Sequence, residues 1–499
     1  MSRVLGAILR GVDGIAIEVE VRISSLLPRI DIVGLPEAAV RESAARVRAA
    51  ISSVGQRFPE RRVTVNLAPA GLRKSGPGLD LPIAVGILAA SGAVEGSRLQ
   101  GLGLIGELAL DGRLRRVRGA LALSLAMRDA GCDRVVVPAA NGSEAALTPN
   151  LEVLTATHLE EVLGFLLSGR ALDPARLVPE EGPSARTLDL AEVRGQEHAK
   201  RALEIAAAGG HGVLLRGAPG CGKTMLARRL PGLLPPLDFE ESLEVTRIHS
   251  AAGQLPEGHP IVTARPFRAP HHTASTAGLL GGGNPPRPGE VSLAHRGVLF
   301  LDELPEFDRR SLEALRQVLE QHQIVISRAR HSSLFPARFQ FIAASNPCPC
   351  GWRLTPRHDC RCDDGAIARY AARMSGPLLD RIDLHVAMSP TPWKDLDTPS
   401  TGPTSRVLQN RVATARRHQR DRGVRTNSEI PDEAIDTLVA ATPDARRLLG
   451  QAVERLGLTA RSARRVLKVA RTIADLGNEA DTAPAAVAEA LGYRDDMRR

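Results

Sequence analysis

The stretch GAPGCGKT, residues 217–224, lies between an apolar strand-like run at 212–215 and a helical run at 225–230. A glycine-rich loop in this context can turn its backbone N–H groups toward phosphates. The same pattern lets Lys223 reach the β- and γ-phosphates and lets the Thr224 hydroxyl ligate Mg²⁺. The sequence therefore predicts a site for a nucleoside triphosphate and Mg²⁺, whose loop is formed by Gly217, Ala218, Pro219, Gly220, Cys221 and Gly222.

Three further motifs predict that the bound nucleotide is hydrolysed. GVLFLDE, residues 297–303, reads as a buried strand that places Asp302 to hold Mg²⁺ and Glu303 to deprotonate the attacking water. FQFIAASNP, residues 339–347, places the Asn346 amide where it can hold that water. GPLLDRIDLH, residues 376–385, offers Arg381 as an arginine finger for a neighbouring subunit's nucleotide, or as a plain surface ion pair.

Length and composition predict a multidomain globular protein. At 499 residues the chain has room for about three domains of ~150 residues each. No run of about 18 apolar residues occurs, and acidic residues come too early for a secretory signal, so we expect no membrane segment and a cytoplasmic location. The net charge of +9 is compatible with a nucleic-acid partner but does not establish one.

The pattern of strands, helices and Pro-rich stretches divides the chain into five parts. Residues 1–171 read as an α+β domain, and residues 188–390 as an α/β core with a parallel sheet around the P-loop. The remainder from 405 to 499 reads as all-helical. Two segments without periodicity, 172–187 and 391–404, read as linkers.

With these elements in order, the chain resembles the AAA+ superfamily, and more closely the ComM/YifB family of its magnesium-chelatase-like branch. The resemblance runs nearly end to end. It is carried by VGLPEAAVRESAARVRAAI (33–51), VTVNLAPAGLRKSGPGLDLPIAVGILAASG (63–92), RPFRAPHHTASTAGLLGGG (265–283), PGEVSLAHRGVLFLDELPEF (288–307), SNPCPCG (345–351), SGPLLDRIDLH (375–385) and LKVARTIADL (467–476).

The resemblance implies a ring-forming ATPase, a hexamer in the family, that acts as a DNA helicase promoting branch migration during natural transformation. It implies an α/β AAA+ P-loop core followed by a C-terminal helical lid. In that lid Arg461 matches the family's sensor-2 arginine, which faces ATP, with Arg465 as the alternate.

The N-terminal domain carries a second resemblance, to the proteolytic domain of the Lon family, which has the ribosomal S5 domain 2-like fold. The match puts Gly78 where the nucleophilic Ser of that family stands and Leu121 where its Lys stands. The catalytic dyad is therefore absent, and we expect an assembly or DNA-engagement role rather than proteolysis.

Basic residues suggest where DNA binds. The segment 323–336 reads as a β-hairpin with Arg328 and Arg330 near its tip. Together with 277–290 it is expected to point into a central channel, the alternative being that both are ordinary solvated hairpins. The stretch 405–425 holds seven arginines against one acid. These, and the basic residues of the last helical stretch, are either DNA contacts or a solvated face; the latter group is Arg461, Arg464, Arg465, Lys468 and Arg471.

The chain also contains a compact cysteine cluster, formed by Cys348, Cys350, Cys360 and Cys362. Two close pairs of thiolates suit a structural Zn²⁺ site, with His358 as a substitute ligand, while reduced thiols or a redox switch remain the alternative. A pair of histidines, His271 and His272, is expected only to structure its loop.

Two other functions fit parts of this pattern. One is a chelatase-like AAA+ remodelling ATPase that acts on a protein partner instead of DNA. The other is a regulatory scaffold with a vestigial nucleotide site, although the intact Lys223, Asp302 and Glu303 argue against it.

Overall fold

A computed structural model of the chain describes residues 1–177, 188–255, 259–328, 331–353, 359–397 and 402–495. Within the part of the chain that it describes, no helix is both long enough and apolar enough to cross a lipid bilayer.

The N-terminal unit is built on an eight-stranded mixed sheet, which confirms the expected α+β pattern. The strands of this unit are β1 (Ser2–Arg10), β2 (Asp13–Ser24), β3 (Arg29–Val33), β4 (Arg62–Ala68), β5 (Leu102–Leu104), β6 (Glu107–Leu108), β7 (Leu114–Arg115), β8 (Arg134–Pro138), β9 (Glu152–Ala156) and β10 (Asp173–Pro174). The order of strands in the sheet is β10-β9-β8-β5-β1-β2-β4-β3. The short strands β6 and β7 form a separate hairpin.

Five helices pack on this sheet: α1 (Ala38–Ser53), α2 (Asp80–Ala90), α3 (Ala120–Asp129), α4 (Gly142–Ala145) and α5 (Leu159–Ser168). Helix α2 is apolar on almost every side and is buried along nearly its whole length, as expected of a helix with no solvent face. The predicted linker 172–187 begins inside this unit, because β10 pairs with β9 and Leu172 is buried in the core. Residues 178–187 lie outside the described residues.

The central unit contains a five-stranded parallel sheet. The strands of this unit are β11 (Val213–Gly217), β12 (Phe267–Arg268), β13 (Gly281–Gly282), β14 (Arg287–Pro288), β15 (Val298–Leu301), β16 (Gln323–Arg328), β17 (His331–Pro336), β18 (Gln340–Ser345) and β19 (Leu384–Met388). The order of strands in the parallel sheet is β12-β15-β18-β11-β19. Strands β15 and β18 are buried at every position, the continuous apolar pattern of a parallel sheet covered on both faces.

Nine helices belong to the described residues of this central unit. They are α6 (Glu197–Gly209), α7 (Lys223–Ala227), α8 (Phe239–Ala252), α9 (Thr276–Leu280), α10 (Glu290–Leu293), α11 (Arg309–Gln321), α12 (Asp364–Ala372), α13 (Gly376–Leu379) and α14 (Trp393–Asp397). Helix α14 lies in the segment expected to be a linker, of which residues 398–401 are outside the described residues. Strands β13 with β14 and β16 with β17 form two antiparallel hairpins.

The C-terminal unit is all-helical, as expected, with α15 (Ser405–Asp421), α16 (Ile435–Leu438), α17 (Pro443–Leu456), α18 (Ala460–Leu476) and α19 (Pro484–Asp495). Four arginines that the sequence offered as DNA contacts or solvated residues have structural partners instead. Arg471 is 1% exposed and donates to Asp475 and to backbone carbonyls. Arg416 donates to the Ala207 carbonyl, Arg422 pairs with Asp475, and Arg425 pairs with Glu241.

Asp383 ties the C-terminal helices to the central sheet. It is buried just before β19, where it accepts hydrogen bonds from Arg465 of α18 at 2.6 Å and from His211, whose Nδ1 lies 3.1 Å away. Burial alone would raise the pKa of Asp383, but Arg465 and His211 outweigh it and hold the pKa below its usual range.

We expect Asp383→Asn to lower the free energy of unfolding by about 3 kcal/mol at pH 7, because it leaves Arg465 without its buried counter-ion. A depressed carboxyl pKa contributes stability above the unfolded pKa of about 4 and loses it as the pH falls further. Urea denaturation from pH 7 to pH 3 should therefore show the wild type and the variant converging below about pH 4. The control is Asp444→Asn, which removes an exposed pair with Arg447; equal losses for the two variants would contradict this role.

Candidate nucleotide site and cysteine cluster

The P-loop occupies the context that the sequence predicted. It leaves the carboxyl end of β11 at Gly217 and enters α7 at Lys223. Gly220 and Gly222 have φ values of +78° and +93°, a conformation that favours glycine. Gly217 has no room for a side chain, because a Cβ there would lie 2.4 Å from the Met388 carbonyl oxygen.

Lys223 and Asn346 are in direct contact. The Lys223 ammonium is buried and donates to the carbonyls of Gly217 at 2.6 Å and Ala218 at 3.0 Å, and to Asn346 Oδ1 at 3.0 Å. Burial lowers the pKa of this lysine. The contact is possible because Asn346 follows β18, the parallel neighbour of β11, so both residues lie at the same edge of the sheet.

The two residues expected to ligate Mg²⁺ also meet. Thr224 Oγ1 donates to Asp302 Oδ2 at 2.8 Å across the gap between α7 and the end of β15. A hydroxyl and a carboxylate are the hard oxygen ligands that Mg²⁺ prefers, so this donor set fits the ion. Glu303, the next residue, has a φ of +53°, which is uncommon for a residue with a side chain.

His272 contacts the predicted base, which sequence reasoning missed. Its Nδ1 lies 3.3 Å from Glu303 Oε2, and its ring stands edge-on to Phe307 at 6.5 Å between centroids. His271 has the loop role that was expected, with Nδ1 2.9 Å from the Thr273 hydroxyl. The available signal was the position of the histidine pair after β12, because β12 pairs with β15, the strand that ends just before Asp302.

Arg381 and Arg461 converge on one carboxylate, that of Glu320 near the end of α11. Arg381 is almost fully buried and also donates to the Pro377 carbonyl at 2.6 Å, whereas the Arg461 side chain is half-exposed. Arg465, the alternate sensor-2 residue, donates to the Arg381 carbonyl and to Asp383 instead.

The arginine pair lies near the amino ends of the parallel strands, whereas the P-loop lies at their carboxyl ends. Arg381 comes three residues before Leu384, which pairs with Val213 at the amino end of β11, whereas the P-loop begins at Gly217. Four residues of strand separate these ends by about 13 Å. Arg461 thus lies beside Arg381, away from the P-loop of its own chain.

The four cysteines of the cluster come together, with all four sulfur atoms within 4.8 Å of one another. Cys348 Sγ lies 3.4 Å from Cys350 Sγ and 3.7 Å from Cys360 Sγ, and the last two are 3.6 Å apart. Disulfide sulfurs lie about 2.05 Å apart, whereas a tetrahedron with Zn–S bonds of about 2.3 Å has edges near 3.8 Å. The spacing therefore fits a tetrathiolate metal site; His358 lies outside the described residues.

This cluster packs directly on the nucleotide site. A Cβ on Gly351 would lie 2.7 Å from Pro219 Cδ of the P-loop, and the Arg216 guanidinium donates to the Pro347 carbonyl at 3.4 Å. The backbone N–H of Trp352 lowers the pKa of the Cys350 thiol to about 6. The other two cysteines, Cys132 and Cys221, are buried elsewhere, and burial raises their pKa values.

The predicted basic hairpin exists as β16 and β17, which pair from Gln323 with Pro336 to Arg328 with His331. Arg330 lies outside the described residues.

Three family models match consecutive parts of the chain. They describe the subunit ChlI of Mg-chelatase at residues 19–141, magnesium chelatase subunit ChlI at 189–396, and the ChlI C-terminal region at 402–494. The first match lies within the N-terminal unit, and the other two correspond to the central and C-terminal units.

Curated relatives match nearly the full length. The competence protein ComM of Haemophilus influenzae is 43% identical over 98% of this chain and 96% of its own. An uncharacterised protein of Salmonella typhimurium named YifB is 44% identical over 97% of this chain and 95% of its own length. A third relative, an uncharacterised protein of Mycobacterium tuberculosis, is 43% identical over 99% of this chain and 98% of its own length.

The resemblance drawn from the motifs is thereby confirmed. The mostly parallel α/β core and the helical C-terminal unit agree with it, and membership implies an ATPase that uses ATP and Mg²⁺. The chain belongs to the ComM/YifB family of magnesium-chelatase-like AAA+ proteins.

Proposed function

We propose that the protein is a ring-forming, ATP-driven DNA motor, a helicase or translocase that promotes branch migration of recombination intermediates during natural transformation. The competence name of one close relative supports this role. One observation supports a ring in particular: the P-loop and the arginine pair lie at opposite ends of the parallel strands of one sheet. The proposal also implies a cytoplasmic location, where ATP is present and thiols stay reduced.

Hydrolysis uses residues that already lie together at the carboxyl edge of the sheet. Glu303 takes the proton of the attacking water, and Asn346 orients that water against the γ-phosphate. Lys223 offsets the negative charge on the phosphoryl oxygens. Bound Mg²⁺, held by Thr224 and Asp302, supplies further charge neutralisation.

A neighbouring subunit completes this site. Arg381 and Arg461 share Glu320 at the far edge of their own sheet, so each can serve only a nucleotide bound by the next subunit. A head-to-tail contact of this kind generates a closed ring when the rotation between subunits divides a full turn, and by analogy with the family we propose a hexamer. If a phosphate of the neighbouring nucleotide replaced Glu320 as the partner of both arginines, the contacts between subunits would depend on which nucleotide is bound.

The motor requires contacts with DNA that do not depend on sequence. We assign one set to the β16–β17 hairpin, through Arg328 and Arg330. The N-terminal unit keeps a Lon-like fold without protease chemistry in this proposal, since neither Gly78 nor Leu121 offers a nucleophile or an amine.

We also propose that Cys348, Cys350, Cys360 and Cys362 hold one structural Zn²⁺. The sulfur spacing near 3.6 Å supports this over reduced, unliganded thiols, which have no reason to converge. Because Gly351 packs on Pro219 of the P-loop, the metal would hold the segment after Asn346 in place.

The motor is tested with a labelled four-way DNA junction. The wild type should hydrolyse ATP faster when single-stranded or branched DNA is added, and it should separate the junction into duplexes. Glu303→Gln should keep ATP and DNA binding but lose turnover by about 10²–10⁴-fold. Glu306→Gln, which removes an exposed partner of Arg373, is the control. If no nucleic acid changes the rate of ATP hydrolysis, the result would contradict the DNA motor and favour the alternative function, the remodelling of a protein partner.

Shared pockets predict complementation between two inactive variants. Lys223→Ala removes the P-loop ammonium, and Arg381→Ala removes the residue lent to the neighbour. A one-to-one mixture should regain activity at about a quarter of its interfaces, those that combine an intact P-loop with an intact arginine. Lys223→Ala mixed with Glu303→Gln should stay inactive, because both defects lie in the same pocket. A monomer that hydrolyses ATP at the full rate would refute the scheme.

Metal content tests the cysteine cluster. Elemental analysis of the purified full chain should find about one zinc per chain. Cys360→Ser should lose that metal, whereas Cys132→Ser, which changes a buried cysteine outside the cluster, should keep it. A wild type that contains no zinc and takes up none on titration would show that the four thiols are unliganded.

A further inference from the structure

A cavity of about 510 Å³ lies between the N-terminal and central units. Its N-terminal wall is the loop from Arg73 to Gly78 together with residues 116–118, and its opposite wall is Asn284 to Arg287 with Ser333. We call this space the interdomain cleft. It includes Gly78, the position that corresponds to the nucleophile of the Lon-like fold, and it is therefore the place where a protease of that fold would bind its substrate.

The walls of the interdomain cleft are fixed to each other. The Gly119 N–H donates to Ser250 Oγ at 3.0 Å, and Arg247 lies 3.4 Å from Asp13. Arg10 donates to the Ser332 carbonyl at 3.0 Å, and Val12 is buried in the core of the central unit. The cleft is thus a built feature of the fold and needs no domain closure to form.

Positive charge dominates the lining. Five arginines line the cleft against two carboxylates, those of Glu37 and Glu107. The five are Arg10, Arg73, Arg116, Arg118 and Arg287, all exposed except the half-buried Arg10. Arg10 donates to the Ser332 carbonyl and Arg116 has a partner of its own, whereas no hydrogen bond or ion pair engages the side chains of Arg73, Arg118 or Arg287 among the described residues. The exposed guanidinium groups of these last three suit phosphate ligands.

The cleft is continuous with both hairpins of the central unit. The β13–β14 hairpin packs on β16, because a Cβ on Gly281 would lie 3.0 Å from Ile326 Cδ1. Arg287, in β14, and Ser333, in β17, both line the cleft. A DNA strand bound in the cleft would therefore contact both hairpins, at Arg287 and at Ser333.

We propose that the interdomain cleft binds the sugar–phosphate backbone of single-stranded DNA, which makes the N-terminal unit a DNA-binding element of the motor. This inference rests on the proposed function. The volume is that of a pocket for one or two nucleotides and is too small for a duplex. The aliphatic parts of the arginines and the apolar wall from Val117 and Leu123 provide contacts for sugars and bases.

The test compares two double variants with the same change of charge. Arg73→Glu with Arg118→Glu alters the cleft, and Arg57→Glu with Arg98→Glu alters exposed arginines of the same unit outside it. Fluorescence anisotropy with labelled oligo-dT should show at least ~10-fold weaker binding for the cleft variant only. Its plot of log affinity against log salt should flatten by about 1.4, the value for two lost phosphate contacts on a single strand. Thermal melting confirms that both variants are folded.

The possible outcomes separate this inference from the proposal on which it rests. A wild type that binds no oligonucleotide overturns both. A wild type that binds, with equal losses in the two double variants, overturns the cleft alone. If free dTMP competes as well as oligo-dT of equal phosphate concentration, the cleft is a small-molecule site and the strand proposal is wrong.

Discussion

Parallel pairing of β11 with β18 on one side and β19 on the other is the constraint on which the site depends. Parallel strands put all their carboxyl ends at one edge, so segments more than 120 residues apart in the chain, the P-loop and the strand ending before Asn346, are brought within hydrogen-bond distance. The same pairing puts the residues that precede β19 at the other edge. One sheet therefore carries the P-loop at the carboxyl ends of its strands and Arg381 at their amino ends.

The arginine face is held in place by ion pairs that also attach the C-terminal helices. Glu320 binds Arg381 of the central unit and Arg461 of α18, and Asp383 binds Arg465 one turn further along α18. Arg381 and Arg461, which the proposed ring would bring to a neighbouring nucleotide, thus also help to position the helical unit. If that contact changed, the ion pairs of Arg461 and Arg465 in α18 would change with it. This offers a physical route from ATP hydrolysis to movement of the C-terminal unit.

Two features outside the nucleotide site are joined to it by packing. The cysteine cluster rests on the P-loop through Gly351 and Pro219, and the N-terminal unit is locked to α8 through Gly119 and Ser250. In the described structure, the cysteine cluster and the N-terminal unit are both in direct contact with the central unit. Both are attached closely enough to affect, or respond to, the geometry of the ATPase unit.

Local sequence determined the P-loop, the acidic strand end, the Asn346 strand and the basic hairpin, because each is encoded by residues adjacent in the chain whose periodicity and glycines leave few alternatives. It also placed Cys348, Cys350, Cys360 and Cys362 close enough along the chain to suggest their convergence. Tertiary structure alone decided which residues meet across strands. The contact of His272 with Glu303, the burial of Arg471 and the side of the sheet to which Arg461 belongs all depend on strand order and helix packing. These are long-range pairings, and hydrophobic periodicity reports only which face of an element is buried, not what lies opposite it.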